Sequence, residues 1–292
     1  MDPKKQIIGI GLSGLIGTRI QELLSSTFDF FPMSTEQGLD ITKKDSLDVV
    51  ADHSSETVLL LAAKADVDGC EKDKEQGETG AAWMINVKGV ENVIEACQKK
   101  NKHLIYVSTD FVFNGEDTPE GGYTEESTPE PINWYGKTKY EAEKRVQASG
   151  LSHAIVRPAY PYRKEFEIKK DFYRAIRDRL ASGLEVRAVT DHYFNPTLID
   201  DFAYGLEAMF SSSENGIFHL VGSSTVSPFE AAQMIANKFD LDASLVKPTT
   251  RAEYFEGKAQ RPFKLAMNND KITKLGVSMH SFEEGLDIIR KQ

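Results

Sequence analysis

Gly11-Leu12-Ser13-Gly14-Leu15-Ile16-Gly17 follows the apolar run Ile7, Ile8, Ile10 and leads into Ile20, Leu23 and Leu24. The first run is β-prone and the second has the spacing of a helix face, so the glycines mark a strand-turn-helix. Such a turn sets backbone N–H groups and a helix N-terminus against a pyrophosphate. Gly11 permits the tight turn, Gly14 the approach of phosphate oxygens and Gly17 the close packing of helix on strand, with Leu15 and Ile16 opening the helix. Gly9 reads as a strand residue. Without a ligand the same stretch is an ordinary strand-turn-helix, so the rest of the chain has to decide between the two.

Outward from this turn, strands are expected at 6–10, 28–33, 57–61, 103–108 and 153–157. Between them, Trp83, Ile85, Val87, Val90, Val93, Ile94 and Cys97 space a helix over 83–97, and another is expected over 135–147. This alternation requires a parallel sheet with helices on both faces. After Pro158 it changes to a charged helix over 171–180, a short strand and a loop through Asn195-Pro196-Thr197, which predicts a smaller second lobe. A helix over 199–209 and a strand over 217–221 return the chain to the first lobe.

Ligands of open α/β sheets lie at the carboxyl ends of strands, which selects residues 11–17, Ala62 and Ala63, Ser108-Thr109-Asp110, and the chain from Arg157 onward. Asn86 stands out because an amide inside an apolar helix needs partners; it either holds a backbone carbonyl or a water near the site, or faces solvent. Tyr135 and Lys139 are four apart on one helix, so phenol and ammonium converge. A phenol with a pKa of about 10 is a poor acid or base near neutrality, and a neighbouring cation lowers it. Lys139 is read as that cation, Thr109 as the hydroxyl that holds a carbonyl, and Tyr135 as the proton donor to the developing alkoxide.

Glycine turn, Ser-Thr-Asp strand end and Tyr-x-x-x-Lys helix together resemble the extended short-chain dehydrogenase/reductase superfamily, and within it the dTDP-4-dehydrorhamnose reductases. The resemblance covers nearly the whole chain. It includes Val107-Ser108-Thr109-Asp110-Phe111-Val112-Phe113-Asn114-Gly115, and Tyr123-Thr124-Glu125-Glu126 with Pro129 and Pro131. Further on, Asn195-Pro196-Thr197 is similar to the family's substrate loop and Ala259-Gln260-Arg261-Pro262 to its Arg-Pro signature. It implies an α/β fold with a Rossmann-type doubly wound parallel sheet and a smaller C-terminal α/β substrate-binding lobe. The divisions expected are 1–158 plus 196–222 for the NAD(P)-binding part and 159–195 plus 223–292 for the lobe.

The function implied is reduction of the 4-keto group of a nucleotide-linked 6-deoxyhexose, with Thr109, Tyr135 and Lys139 as catalytic residues and Lys139 also on the nicotinamide ribose. Asp40-Ile41 matches a pair that contacts adenine in relatives, and Ala62-Ala63 the segment that lines the cofactor, with Lys64, Asn86, Ser108 and Pro158 beside it. Asp110, Val112, Phe113 and Asn195 are implied on the substrate side. Arg163 and Arg261 are candidates for its phosphates, because guanidinium binds them bidentately; a surface ion pair is the rival for Arg163. Trp134 either stacks on a base or packs the helix start. In similar proteins the helices at 83–97 and 135–147 often form a homodimer face, whereas in monomeric relatives the same apolar residues are core; both readings stay open.

Departures from the pattern are Asp191-His192-Tyr193-Phe194 before Asn195, Ala266 after the Arg-Pro signature, and Lys64 and Asp66 after the two alanines. The sugar recognised therefore need not be the family's usual one. Similar dehydratases place a Glu where this chain has Phe111, which counts against dehydration. A sugar-nucleotide epimerase, and a non-catalytic NADP-binding subunit like the methionine adenosyltransferase β subunit, stay open. For the cofactor, Glu36 suits the ribose 2′-hydroxyl of NAD(H), whereas Arg19, Ser34 and Thr35 suit a 2′-phosphate; NADP(H) is the expectation.

A formal charge of −10 argues against a general nucleic-acid surface, and 40% hydrophobic residues over 292 can fill a substantial core. No basic start precedes a signal-length apolar segment and no run of about 18 apolar residues is present, so a cytoplasmic location without membrane contact is expected. Cys70 and Cys97 lack metal-ligand spacing and read as free thiols. No metal is expected; the acidic residues Glu116, Asp117, Glu120, Glu125, Glu126 and Glu130 read as solvated loop charge.

Overall fold

Ile7, Ile8 and Ile10 are at most 1% exposed, as a strand with neighbours on both sides and helices above and below must be. A computed structural model describes residues 3–292; the first two residues of the expected 1–158 division lie outside the described residues. The first half alternates β1 (Lys5–Ile10), α1 (Leu15–Leu24), β2 (Phe28–Met33), α2 (Asp48–Asp52), β3 (Thr57–Leu60), α3 (Val67–Lys72), α4 (Ala81–Trp83), α5 (Gly89–Gln98), β4 (His103–Val107), α6 (Trp134–Gln147) and β5 (His153–Arg157). It continues through β6 (Pro161–Tyr162), α7 (Phe172–Ala181), β7 (Val186–Val189), β8 (Thr197–Leu198), α8 (Ile199–Ser212) and β9 (Gly216–His219). The end of the chain supplies α9 (Pro228–Lys238), β10 (Val246–Thr249), α10 (Arg251–Tyr254), α11 (Asp270–Thr273) and α12 (Phe282–Lys291).

Six strands form one parallel sheet in the order β2-β1-β3-β4-β5-β9. Side chains alternate across it with the strand period of two. Ile8, Ile10, Val58, Leu60, Leu104 and Tyr106 face α2, α5 and α6 through Val50, Val90, Val93, Ala142 and Val146. Ile7, Leu59, Ile105, Ala154 and Val156 face α1 and α8 through Ile20, Leu24, Phe202, Leu206 and Phe210. The doubly wound Rossmann-type arrangement is therefore present. The order reverses between β1 and β3, which opens a crevice at their carboxyl ends. Two small parallel pairs, β6 with β8 and β7 with β10, belong to the remainder, where α9 packs beneath β7 and β10.

The helix expected over 83–97 is not uniform. Met84–Lys88 widen into a π-helical turn between α4 and α5, a feature that accumulates at functional sites. Asn86 sits in that turn.

Beneath α6, Glu143 and Arg157 are 0% and 1% exposed and meet fork to fork, Nε to Oε1 at 2.9 Å and Nη2 to Oε2 at 2.6 Å. Phe113 lies against the guanidinium at 5.1 Å. Glu143→Ala, which strands that buried cation, is expected to lower unfolding free energy by about 3–5 kcal/mol in urea denaturation.

Candidate active site

Each side of the crevice is shaped by backbone contact that a side chain would prevent. At Gly11, φ is 93° and a Cβ would come within 2.7 Å of the Ala62 nitrogen; at Gly17 it would lie 2.4 Å from Leu12 Cα. The helix therefore packs on the turn at Leu12 rather than on a strand side chain. Gly14 is different, with nothing nearer than the Gly11 oxygen at 3.6 Å, so the turn is open there. Across the crevice, Asn133 caps α6 by accepting from Gly136 N at 2.9 Å, and its amide donates to the Gln260 carbonyl at 3.0 Å. The capping residue thereby ties the Gln-Arg-Pro segment to the helix that carries Tyr135.

One cleft of about 640 Å³ is lined by Gly11, Gly14, Leu15, Ile16 and Gly17 on one side and by Ser108, Thr109, Asp110, Tyr135 and Lys139 on the other. Ala63, Pro158 and Arg261 complete the expected residues that reach it. Thr109 Oγ1 donates to Asp110 Oδ1 at 3.0 Å and accepts from Phe111 N at 3.3 Å. Lys139, 2% exposed, donates to the Val107 carbonyl at 2.8 Å and lies 4.2 Å from the centre of the Tyr106 ring. Arg261 divides its guanidinium between the Ala259 carbonyl at 2.7 Å and Asp68 at 2.9 Å.

Burial dominates the protonation of this wall. It pushes the Tyr135 phenol up, with the Thr109 hydroxyl acting against it and Asp110 adding to it. It lowers the Lys139 ammonium to about 7, against the opposing field of Glu143, and raises the Asp110 carboxyl to about 7. The expected lowering of Tyr135 by Lys139 is absent from these causes. Tyr135 is held protonated, as a proton donor requires.

Other expected site residues act from outside the cleft. Asn86, fully buried, accepts from Lys64 N at 2.8 Å and donates to Lys64 O and Thr138 Oγ1, both at 3.0 Å. It holds a backbone carbonyl, one of its two expected roles, and couples the segment after β3 to α6. Ala62 contacts Gly11, and the Lys64 ammonium faces Asp73 at 3.8 Å. Asp40 binds Thr42 through N at 3.0 Å and Oγ1 at 2.7 Å, while Ile41 packs against Gly89. Val112 and Phe113 are fully buried, Phe113 stacked on Tyr123 at 4.2 Å. Asn195 donates to the Gly222 carbonyl at 3.0 Å and accepts from Met267 N at 2.9 Å, pinning backbone.

Two charged assignments change, those of Arg19 and Glu125, and for Arg163 the ion-pair rival holds. Arg19 does not reach the cleft, because its guanidinium forks onto Asp200 of α8 at 2.7 Å for both contacts. Arg163 binds Glu22 at 2.6 Å and Thr18 Oγ1 at 3.0 Å, clamping α1 from the side. Glu125, read as solvated, is 8% exposed and accepts from His219 N at 3.0 Å. Trp134 stacks with Trp83 at 5.8 Å.

The cleft also contains Tyr160, Lys169, Phe172 and Phe255, none of them anticipated. Tyr160 follows β5 directly, so the strand-end rule that selected Arg157 onward could have found it; Phe255 comes from the distant C-terminal part and has no local signal.

The family model described as RmlD substrate binding domain matches residues 5–292. Methionine adenosyltransferase 2 subunit beta of Mus musculus is 30% identical over 222 residues, 73% of this chain and 65% of that protein, so the chain spans just under two thirds of the length of that relative. dTDP-4-dehydrorhamnose reductase of Mycobacterium tuberculosis is 28% identical over 260 residues, 86% of this chain and 81% of that protein. Among solved structures, dTDP-4-dehydrorhamnose reductase from Bacillus anthracis in complex with NADP superposes with a TM-score of 0.88 at 28% identity, covering 100% of this chain and 99% of that one.

Asp110 yields a stability test. Its carboxyl, raised by burial to about 7, holds a proton in the folded chain that the unfolded chain releases in the usual aspartate range. Stability is therefore lost as pH rises from that range through about 7. The Tm of Asp110→Asn relative to the wild type is expected to climb between about pH 4 and about pH 8 in thermal melts. A difference independent of pH contradicts the buried carboxyl.

Proposed function

Because the chain belongs to the RmlD substrate binding domain family, we propose that it is an oxidoreductase that reduces the 4-keto group of a nucleotide-linked 6-deoxyhexose with NADP(H). The observation that carries this reading is the convergence of Thr109, Tyr135 and Lys139 on the same cleft as the glycine turn.

The chain's own residues fit the cofactor. α1 begins with neither a side-chain cap nor an acidic residue in its first turn, which leaves its leading N–H groups for an anion. Gly14 leaves the approach open, and Ser108 Oγ is buried without a partner. On this reading the backbone of Gly11, Gly14, Leu15, Ile16 and Gly17 holds the pyrophosphate, Asp40 and Ile41 lie toward adenine, and Ala63, Ser108, Pro158 and Lys139 hold the nicotinamide half. When bound, NADPH supplies the hydride for the carbonyl carbon.

The protein's part is to position the ketone and deliver a proton. Thr109 turns its hydroxyl to the carbonyl oxygen and Tyr135 donates to it, so that no free alkoxide has to form. Lys139, one turn further along α6, supplies the positive charge that the phenolate left behind requires. All three groups are less than one tenth exposed, so little of their surface meets water. On this reading Asp110 and Arg261 lie on the substrate side of the cleft, the Arg261 guanidinium being held there by the Ala259 carbonyl and Asp68.

Preference for NADP(H) rests on the solved relative that contains NADP, and not on Arg19, which Asp200 holds. The likeness to the mouse adenosyltransferase subunit gives a second reading, a nucleotide-binding subunit without chemistry; the complete set of hydroxyl, phenol and ammonium favours the reductase. Among the described residues no helix is long and apolar enough to cross a membrane. A cytoplasmic location suits both cofactor and substrate. A homodimer through α5 and α6 would have a charged seam, since Glu91, Glu141, Lys144 and Arg145 pair within the chain there.

Turnover is read as NADPH oxidation with dTDP-4-keto-6-deoxyhexose. Tyr135→Phe is expected to cut kcat by roughly 10²–10⁴-fold with cofactor affinity retained; unchanged turnover removes Tyr135 from the chemistry. Arg19→Ala is expected to lower Tm by loosening α1 from α8 while changing NADPH and NADH affinities equally. Selective loss of NADPH in a fluorescence titration would restore the 2′-phosphate role to Arg19.

A further inference from the structure

The segment Asp191-His192-Tyr193-Phe194, where the chain departs from the resembled reductases, has no role in the chemistry above. It packs behind Tyr160, which lines the cleft. Tyr160 has a φ of 41°, a backbone region that a bulky side chain seldom occupies and that persists only where the surroundings enforce it. Phe194 stacks on its ring with centroids 3.8 Å apart and Phe172 meets it edge-on at 6.0 Å. Its hydroxyl lies 2.7 Å from His192 Nε2.

The direction of that hydrogen bond follows from the other side of the imidazole. His192 is 1% exposed, and its Nδ1 lies 2.6 Å from the Pro262 carbonyl oxygen. A carbonyl only accepts, so Nδ1 carries the proton. Burial keeps the ring neutral, lowering its pKa to about 4, and Nε2 is left with a lone pair. Tyr160 therefore donates to His192. With its single proton committed, the phenol oxygen has only lone pairs to offer, and no other hydrogen bond engages it among the described residues. Phe111 stands between the two phenols of the cleft, its ring 5.9 Å from that of Tyr135 and 6.3 Å from that of Tyr160. Asp110 Oδ2, buried and unpartnered, belongs to the same wall.

We propose that Tyr160, oriented by His192, is a fixed hydrogen-bond acceptor for a ring hydroxyl of the sugar and thereby a specificity-determining residue that selects against sugars lacking that hydroxyl. The identity of the ligand rests on the reductase reading; the acceptor character of Tyr160 does not. A site built to accept from a hydroxyl is left unpaired by an analogue that lacks it, and this penalty separates recognition from mere packing.

The test reads binding, not turnover. Protein saturated with NADP⁺ is titrated calorimetrically with dTDP-6-deoxyglucose and with its 2-deoxy and 3-deoxy counterparts. The wild type is expected to bind at least one deoxy counterpart roughly 10-fold more weakly than the parent, and Tyr160→Phe to bind that pair within a factor of about 2. Discrimination that survives in Tyr160→Phe, no discrimination in the wild type, or no binding at all overturns the proposal. Nitrogen NMR of labelled histidine in the wild type is the second measurement. His192 should show a protonated Nδ1 and a bare Nε2 from about pH 6 to about pH 9; a protonated Nε2 also overturns it. Discrimination without NADPH oxidation would end the reductase reading and leave this one standing, and turnover without discrimination would do the reverse.

Discussion

The first turn of α6 reaches the turn that follows β4 because Gly136 has no side chain: a Cβ there would lie 2.1 Å from the Phe111 carbonyl oxygen. That backbone contact fixes how far Tyr135 stands from Thr109, and through the helix repeat it sends Lys139 back to the Val107 carbonyl at the strand end. Asn133 then draws the C-terminal Gln-Arg-Pro segment onto the same turn. On the opposite side Gly11 makes the equivalent approach to Ala62. One side-chain-free contact thus shapes each wall of the cleft, and the residues with chemical capacity stand beside these contacts.

The cleft wall disfavours charge. Burial is the largest influence on Tyr135, Lys139 and Asp110 alike, raising the two acids and lowering the base. A phenol in that setting is a donor waiting for an acceptor, and the charge it leaves behind has to be met by an ammonium that is itself near its point of deprotonation. The compensating charges lie one layer deeper, where Glu143 faces Lys139 along α6 and is gripped by Arg157. The buried ion pair therefore joins stability to chemistry: it fastens α6 to β5 and sets the field in which Lys139 titrates.

The sheet was legible because its inner strands β3, β4 and β5 are continuous apolar runs buried on both faces, and the half-exposed edge strand β2 still occupies the span expected of it. The cleft residues at strand ends and the glycine turn were legible for the same topological reason. Charged side chains were not, because sequence spacing does not reveal a distant partner: Asp200 lies 181 residues from Arg19 and takes its guanidinium away from the cleft. Glu125 misled in the opposite sense, since a loop carboxylate looks solvated until β9 presents it a backbone N–H. The π-helical turn at Asn86 carried only half a signal. A buried amide was expected to need a partner, but that both ends of it would clamp Lys64 depends on how the segment after β3 passes α4.

The central claim is that the two halves of this cleft serve one transfer, from a nicotinamide held by the glycine turn to a ketone held by Thr109 and Tyr135. Its most direct measurement is turnover of dTDP-4-keto-6-deoxyhexose with NADPH deuterated at the transferable position of the nicotinamide, followed by NMR of the sugar. The account predicts one deuterium at the former carbonyl carbon for each NADP⁺ formed. An epimerised sugar without net cofactor oxidation, or cofactor bound and never consumed, would contradict it.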